Sequence, residues 1–282
     1  MTSDGVMNLE NSNIGFIGAG NMANALIRGL LVQGAGSRQL LAADIDADKL
    51  QKLKEDCGIQ IASSGEIAEV ADVIVLAVKP QVMKAACQQI EPFLRNRNCL
   101  LVSIAAGITC QHLQSWLGTR RALVRCMPNT PALVARGATA LYANNNVTAE
   151  QRALAEAIMA AVGIALWVED EGQIDAVTAL SGSGPAYFFL LMEAMQEAAI
   201  DLGMDAETAR RLTLQTALGA AELADSSSAT AAELRRQVTS PGGTTEQALL
   251  KFEEGGLREL VNRALMAAQN RSRELARDFG EE

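Results

Sequence analysis

The chain is 282 residues long, which at about 150 residues per domain leaves room for two domains, each with its own apolar core. A hydrophobic fraction of 49% against 20% charged residues excludes wholesale disorder, and 23 glycines with only 4% aromatics describe close-packed helices and tight turns more than an all-β sandwich. The formal charge of −9, with no concentrated run of Lys or Arg, removes the electrostatic basis for holding a nucleic-acid backbone.

In chain order, residues 1–13 are polar and lack a basic flank followed by an apolar stretch, so they read as a flexible tail and not as a secretion signal. Over residues 14–171, short aliphatic runs alternate with helical patterns. The runs are Ile14–Ile17, Gln39–Ala43, Val73–Val78, Leu100–Ile104, Leu123–Met127, Ala138–Tyr142 and Ile164–Val168. This alternation predicts a parallel sheet with crossover helices, the α/β plan of a Rossmann-type dinucleotide-binding domain. VIVLAV and LLVSI are apolar on both parities, so both faces of the sheet are covered. Over residues 172–282, the spans Ser183–Leu202, Asp205–Ala224, Thr230–Val238, Thr245–Glu253 and Gly256–Arg277 carry helical spacing, which predicts an all-helical second domain. Asp205 reads as an N-cap, Gly203 as the stop before it, and Thr230 with Glu233 as a capping box. No uninterrupted apolar run reaches about 18 residues, so no membrane span is expected.

IGFIGAGNMANAL places Gly18, Gly20 and Ala23 as GxGxxA between a predicted strand and a predicted helix. The first glycine permits the tight turn, the second lets backbone approach a pyrophosphate, and the alanine allows close helix–sheet packing. Asp44 ends the second strand where an acid would accept hydrogen bonds from an adenosine ribose, and by charge it favours NAD over NADP. Asp46 and Asp48 keep open the alternative of an acidic helix start that never meets the cofactor. Three loops share the same predicted sheet edge: Val78, Lys79 and Pro80; the small residues Ala105, Ala106 and Gly107, with room for a flat ring; and RCMPNTP, in which Pro128 and Pro131 bracket Asn129 and Thr130.

Side-chain catalysts are scarce. His112, the sole histidine, sits in a stretch that reads as an amphipathic helix, and no GxSxG elbow occurs. The five cysteines match neither a CxxC pair nor a zinc pattern and read as buried thiols in a reducing compartment, so no metal is expected. VTSPGGTTEQAL offers Ser240, Gly242, Gly243, Thr244 and Thr245 ahead of a helix, a neutral receptor for a small carboxylate; the competing reading is a helix capped by Thr244 or Thr245.

Together GFIGAGNM, LAVKP, SIAAGIT, RCMPNTP, DAVTALSGSGPAYF and TSPGGTTEQAL resemble the signatures of the pyrroline-5-carboxylate reductase family, in their usual order from Ile14 to about Arg277. The resemblance implies a Rossmann domain followed by a helical dimerisation domain, a cytoplasmic homodimer that often assembles to a decamer, and reduction of L-1-pyrroline-5-carboxylate to L-proline. It implies NADPH as donor, with NADH as the alternative. It places Gly18, Gly20, Asn21 and Met22 by the pyrophosphate, Ala77 to Pro80 along the cofactor, and Asn129 and Pro131 near the nicotinamide. Ser240, Gly242, Gly243 and Thr244 would hold the substrate carboxylate and Thr245 the ring nitrogen. Asp44 departs from the small or basic residues often found after the second strand in the family. A β-hydroxyacid dehydrogenase relative would need a lysine in the helices from Ser183 to Ala224, which contain none. A non-catalytic dinucleotide sensor would have no use for the SPGGTT loop.

Overall fold

The computed structural model describes Leu9 and residues 11–281, with side chains as far as Phe279. Of the expected tail, residues 1–8 and 10 lie outside the described residues. Its end is already anchored, because Ser12 is buried and Asn13 donates its N–H to Asp72 Oδ2 at 2.9 Å.

Eight strands form one sheet: β1 (Ile14–Ile17), β2 (Leu40–Ala43), β3 (Gln60–Ile61), β4 (Val73–Leu76), β5 (Leu100–Ser103), β6 (Ala122–Met127), β7 (Gly137–Ala143) and β8 (Gly163–Trp167). They lie in the order β3-β2-β1-β4-β5-β6-β7-β8, so the chain winds outward from β1 in both directions and leaves a switch point between β1 and β4. The crossovers are α1 (Asn21–Val32), α2 (Ala47–Cys57), α3 (Ser64–Val70), α4 (Pro80–Leu94), α5 (Cys110–Leu117) and α6 (Ala149–Ala160). Successive side chains feed two cores, since strand residues alternate between faces. Val73 and Val75 pack with Leu26, Ile27 and Leu30 of α1 on one side. Ile74 and Leu76 pack with Met83, Cys87 and Ile90 of α4 on the other.

The sheet departs from the expected all-parallel plan at one pair. β7 runs antiparallel to β6, with Arg125 opposite Tyr142, because residues 128–136 hold only a short 3₁₀ turn, less chain than a helical crossover needs. β8 returns parallel to β7 through α6. β3 was not expected; it is two exposed residues long and carries no readable period. β4 ends at Leu76, two residues short of the expected Val78, which frees Ala77 and Val78 for the loop.

The first compact unit runs through Ser183 and takes back the chain from Ala268 onward; the second is Gly184–Ala267. The expected boundary after residue 171 thus falls later, because α7 (Gln173–Val177) and the π turn Thr178–Gly182 are bonded to the sheet. Glu171 Oε1 accepts the Cys110 N–H at 2.7 Å and pairs with Arg125 Nη1 at 3.1 Å, and Asn129 Nδ2 donates to Ser181 O at 3.0 Å. The returning stretch is held by Ser272 Oγ donating to Asp175 Oδ1 at 2.7 Å.

The second unit contains α8 (Gly184–Asp201), α9 (Ala206–Asp225), α10 (Ala231–Gln237), α11 (Thr244–Glu254) and the first part of α12 (Leu257–Glu281). Both expected caps are present: Asp205 Oδ1 accepts from Thr208 N at 3.0 Å, and Thr230 and Glu233 form a reciprocal box. On this single chain α8 leaves Phe188, Phe189, Leu190 and Leu191 exposed, Phe188 by 65%, an apolar face that marks an interaction surface. The helical stretch Gln173–Asp201 is long and apolar enough, by length and composition alone, to cross a membrane; Glu193 and Glu197 interrupt it as an apolar run.

Candidate functional site

The site begins where β1 stops. Gly18 has φ +102°, and a Cβ there would stand 2.6 Å from the Ala77 carbonyl oxygen, so two backbone segments meet at a spacing only glycine allows. Its N–H donates to Ala43 O at 2.7 Å, which ties the turn to the end of β2. Gly20 is the N-cap of α1 in extended backbone, with open space where a Cβ would stand and no side-chain cap. α1 has no acid in its first turn, so the first N–H groups of Asn21, Met22 and Ala23 face outward unclaimed by side chains and suit a phosphate. Ala23 is buried against the sheet, as the GxGxxA spacing requires.

Beside this turn lies a cleft of ≈ 360 Å³ lined by Gly18, Asp44, Ile45, Ser63, Val78 and Val82. Asp44 accepts from Ala19 N through Oδ2 at 2.6 Å and from Asp46 N through Oδ1 at 2.9 Å, so its carboxylate is fixed at the mouth of the glycine turn. These features fit a dinucleotide: an open glycine, unclaimed helix amides and an apolar-walled cleft at the switch point. Ser63 and Ser64 of the same cleft were missed from the sequence. Their signal was the capping box Ser63–Glu66, which starts α3 beside the short strand β3.

The other expected cofactor residues fall on the same unit with different commitments. Ala77 donates its N–H to Ile17 O at 2.8 Å, Val78 lines the cleft, and Lys79 and Pro80 are the N-cap and N1 of α4, so helix start and loop edge coincide. Ala105 and Ala106 follow β5, and the Phe279 ring lies 3.0 Å from where a Cβ on Gly107 would stand, so the loop's glycine packs against the chain's own aromatic. Asn129 is buried, with Oδ1 accepting from Ala138 N at 2.8 Å and Nδ2 bonded to Ser181 O, so its amide braces the loop. Pro131 sits in the 3₁₀ turn that follows.

Acid–base and nucleophilic groups are held out of action. His112 Nδ1 accepts the Thr109 N–H at 3.3 Å, the ring stacks on Trp116, and burial lowers its pKa. Burial pushes Cys87, Cys99 and Cys110 up to about 12 and Cys126 further, so none is a thiolate near neutrality. Among the described residues no group of three or more His, Cys, Asp or Glu could hold a metal.

In the second unit, the SPGGTT loop leads into α11. Gly242 has φ +71°, its N–H donates to Glu246 Oε2 at 2.8 Å, and Gly243 N donates to Ser240 O at 3.0 Å. The sequence reading gave both glycine amides to a ligand; both are engaged within the loop. The N-cap is Gly243, which has no side chain, and Thr244 and Thr245 open the helix instead of capping it. The donors left are the first-turn amides of α11 and the hydroxyls of Ser240, Thr244 and Thr245.

A family model described as pyrroline-5-carboxylate reductase dimerisation matches residues 171–275, and one described as NADP oxidoreductase, coenzyme F420-dependent, matches residues 13–107. A pyrroline-5-carboxylate reductase of Pseudomonas aeruginosa is 55% identical over 97% of this chain and 100% of its own length. One from Vibrio alginolyticus is 44% identical over 96% and 100%. Among solved structures, a pyrroline-5-carboxylate reductase from Coxiella burnetii superposes with a TM-score of 0.91 at 48% identity, covering 95% of this chain and 99% of that one. One from Plasmodium falciparum with NADP bound gives 0.84 at 30%, covering 95% and 100%. A glycine turn shaped for a dinucleotide and near-full-length relatives of one kind lead to one conclusion: the chain belongs to the pyrroline-5-carboxylate reductase family, nicotinamide-dependent oxidoreductases that reduce L-1-pyrroline-5-carboxylate to L-proline.

Proposed function

We propose that the first unit holds NADPH across the switch point and that the SPGGTT loop presents the pyrroline ring to it. When bound, the reduced dinucleotide supplies a hydride to C5 of the protonated imine. The unclaimed amides at the start of α1 take the pyrophosphate, and Ala77 to Pro80 run along the cofactor. Asn129 acts at the nicotinamide end by bracing its loop against Ala138 and Ser181, and Pro131 stiffens the same turn. The substrate carboxylate is held by the first-turn amides of α11 with the hydroxyls of Ser240 and Thr244, while Thr245 orients the ring nitrogen and relays its proton with solvent. The iminium carbon is already electrophilic, so a strong side-chain acid is dispensable, in keeping with a chain whose one histidine caps a helix.

The observation that carries this reading is the uncapped start of α11 behind a loop whose amide already donates to a carboxylate, that of Glu246 on Gly242. Thr245→Ala is expected to lower kcat by about ten- to a hundredfold, the size of losing one positioned hydrogen-bonding group, with NADPH affinity unchanged. Equal loss of both would contradict the assigned role. The exposed apolar face of α8 supports a homodimer; assembly into a decamer and a cytoplasmic location rest on the family resemblance alone. Whether the loop serves the site of its own chain or its partner's is decided by mixing Thr245→Ala and Gly20→Ala chains: recovered activity means the partner's. A fully active monomer in sedimentation would sink the dimer.

A further inference from the structure

We propose that Gly182, in the SGSGPAY stretch to which the reaction has so far given no part, is a positioning residue for hydride transfer: its missing side chain seats Met127 and thereby fixes the loop that carries Asn129. This rests on the reading above that puts that loop at the nicotinamide. The stretch does not simply start a helix. Residues 178–182 form a π turn closed by Ser183 N donating to Thr178 O at 2.8 Å, and single π turns recur at functional sites. In an α-helix the Ser181 carbonyl would receive the N–H of residue 185, but that residue is Pro185 and has none. The carbonyl accepts instead from Asn129 Nδ2 at 3.0 Å, while Asn129 Oδ1 accepts from Ala138 N at 2.8 Å. Two hydroxyls hold the turn from behind, Thr178 Oγ1 donating to Ile174 O at 2.7 Å and Ser181 Oγ to Val177 O at 3.1 Å. Gly182 follows the bonded carbonyl directly and is glycine for space, not for conformation. Its φ lies outside the left-handed region, yet a Cβ there would stand 2.6 Å from Met127 Cε. Met127 ends β6 opposite Ala140, and only Pro128, with its locked φ, separates it from Asn129. The thioether end of a methionine yields, so a chain with a methyl group at 182 still folds. The displaced side chain then presses on the loop, and a shift of about 1 Å at the reacting atoms costs up to about a hundredfold in rate.

The test is a double-mutant cycle on the full-length enzyme, read as kcat, as KM for NADPH and as the primary isotope effect with NADPH deuterated at the transferred position. Gly182→Ala is expected to lower kcat by about tenfold and to raise the isotope effect, because hydride transfer becomes more fully rate-limiting. KM for NADPH and the affinity for adenosine 2′,5′-bisphosphate should stay within about twofold, since the far end of the cofactor is untouched. A role in folding alone would lower the yield of active enzyme and leave the isotope effect where it was. Met127→Ala removes the obstacle, so adding Gly182→Ala to it should cost less than about twofold in kcat. An unaltered kcat and isotope effect in Gly182→Ala overturn the proposal, and so does a loss equally large with and without the Met127 side chain. Asn129→Ala separates this proposal from the reading it rests on: if that variant leaves kcat and the isotope effect unchanged, the placing of the loop at the nicotinamide falls instead.

Discussion

Gly18 and Gly20 stand two residues apart in one motif, yet the structure assigns them separable burdens. At Gly18 a methyl group would meet Ala77 O at 2.6 Å, Ala77 C at 2.7 Å and Val78 N at 2.9 Å, all backbone, at a φ of +102°. The conformation alone costs an L-residue about 1–2 kcal/mol, and forcing strand ends apart costs roughly 1–3 kcal/mol more. Gly18→Ala is therefore expected to destabilise the first unit by about 2–5 kcal/mol, a fall in melting temperature of roughly 5–15 °C. At Gly20 the backbone has φ −72° and nothing stands within 4 Å of the added methyl. Gly20→Ala should leave stability within about 0.5 kcal/mol of the starting enzyme while weakening NADPH by about tenfold or more, because the methyl occupies the approach of the pyrophosphate. Thermal denaturation without cofactor and titration of nicotinamide fluorescence separate the two effects. The reasoning is refuted if the two variants melt together, or if Gly20→Ala binds NADPH as tightly as the unaltered chain.

Breaking the buried pair at Glu171→Ala strands Arg125, which is 3% exposed, and should cost about 3 kcal/mol in denaturant unfolding; the Arg125→Met, Glu171→Leu double variant should cost less than the single. His112 is held neutral by burial, so its folded pKa lies below the ordinary 6.5 and the unfolded chain takes up its proton first. Its contribution to stability is present above 6.5 and declines as pH falls below it, a slope His112→Gln should flatten, and identical pH profiles would reject the assignment. With an aromatic disulfide reagent the native chain should expose the half-buried Cys57 alone, against five thiols in denaturant; prompt labelling of all five would contradict the burial of the other four.

What the sequence made legible was local. GxGxxA between an apolar run and a helix carries its own geometry, so Gly18, Gly20 and Ala23 could be assigned before any coordinates, and the capping box of Thr230 and Glu233 likewise. The direction of β7 was not legible, since strand patterns carry no polarity; only the shortness of residues 128–136 hinted at it. Ser63 and Ser64 escaped because a two-residue strand leaves no period to read. The occupied amides of Gly242 and Gly243 depend on a side chain folding back one turn from Glu246, and Asn129 is spent on Ser181, far along the chain. In each case the loop was recognisable from composition, while the identity of the free donor required knowing who its neighbours were.

The route of the backbone has one more consequence. The chain leaves the nucleotide-holding unit at Ser183 and comes home at Ala268, so the helical unit is an insertion spliced between two pieces of its host. The carboxyl end therefore belongs to the sheet's structure, with Ser272 on Asp175 and Phe279 against Gly107. Clipping a dozen residues from that end, the usual first trim in protein engineering, would wound the Rossmann half and spare the helices it superficially extends.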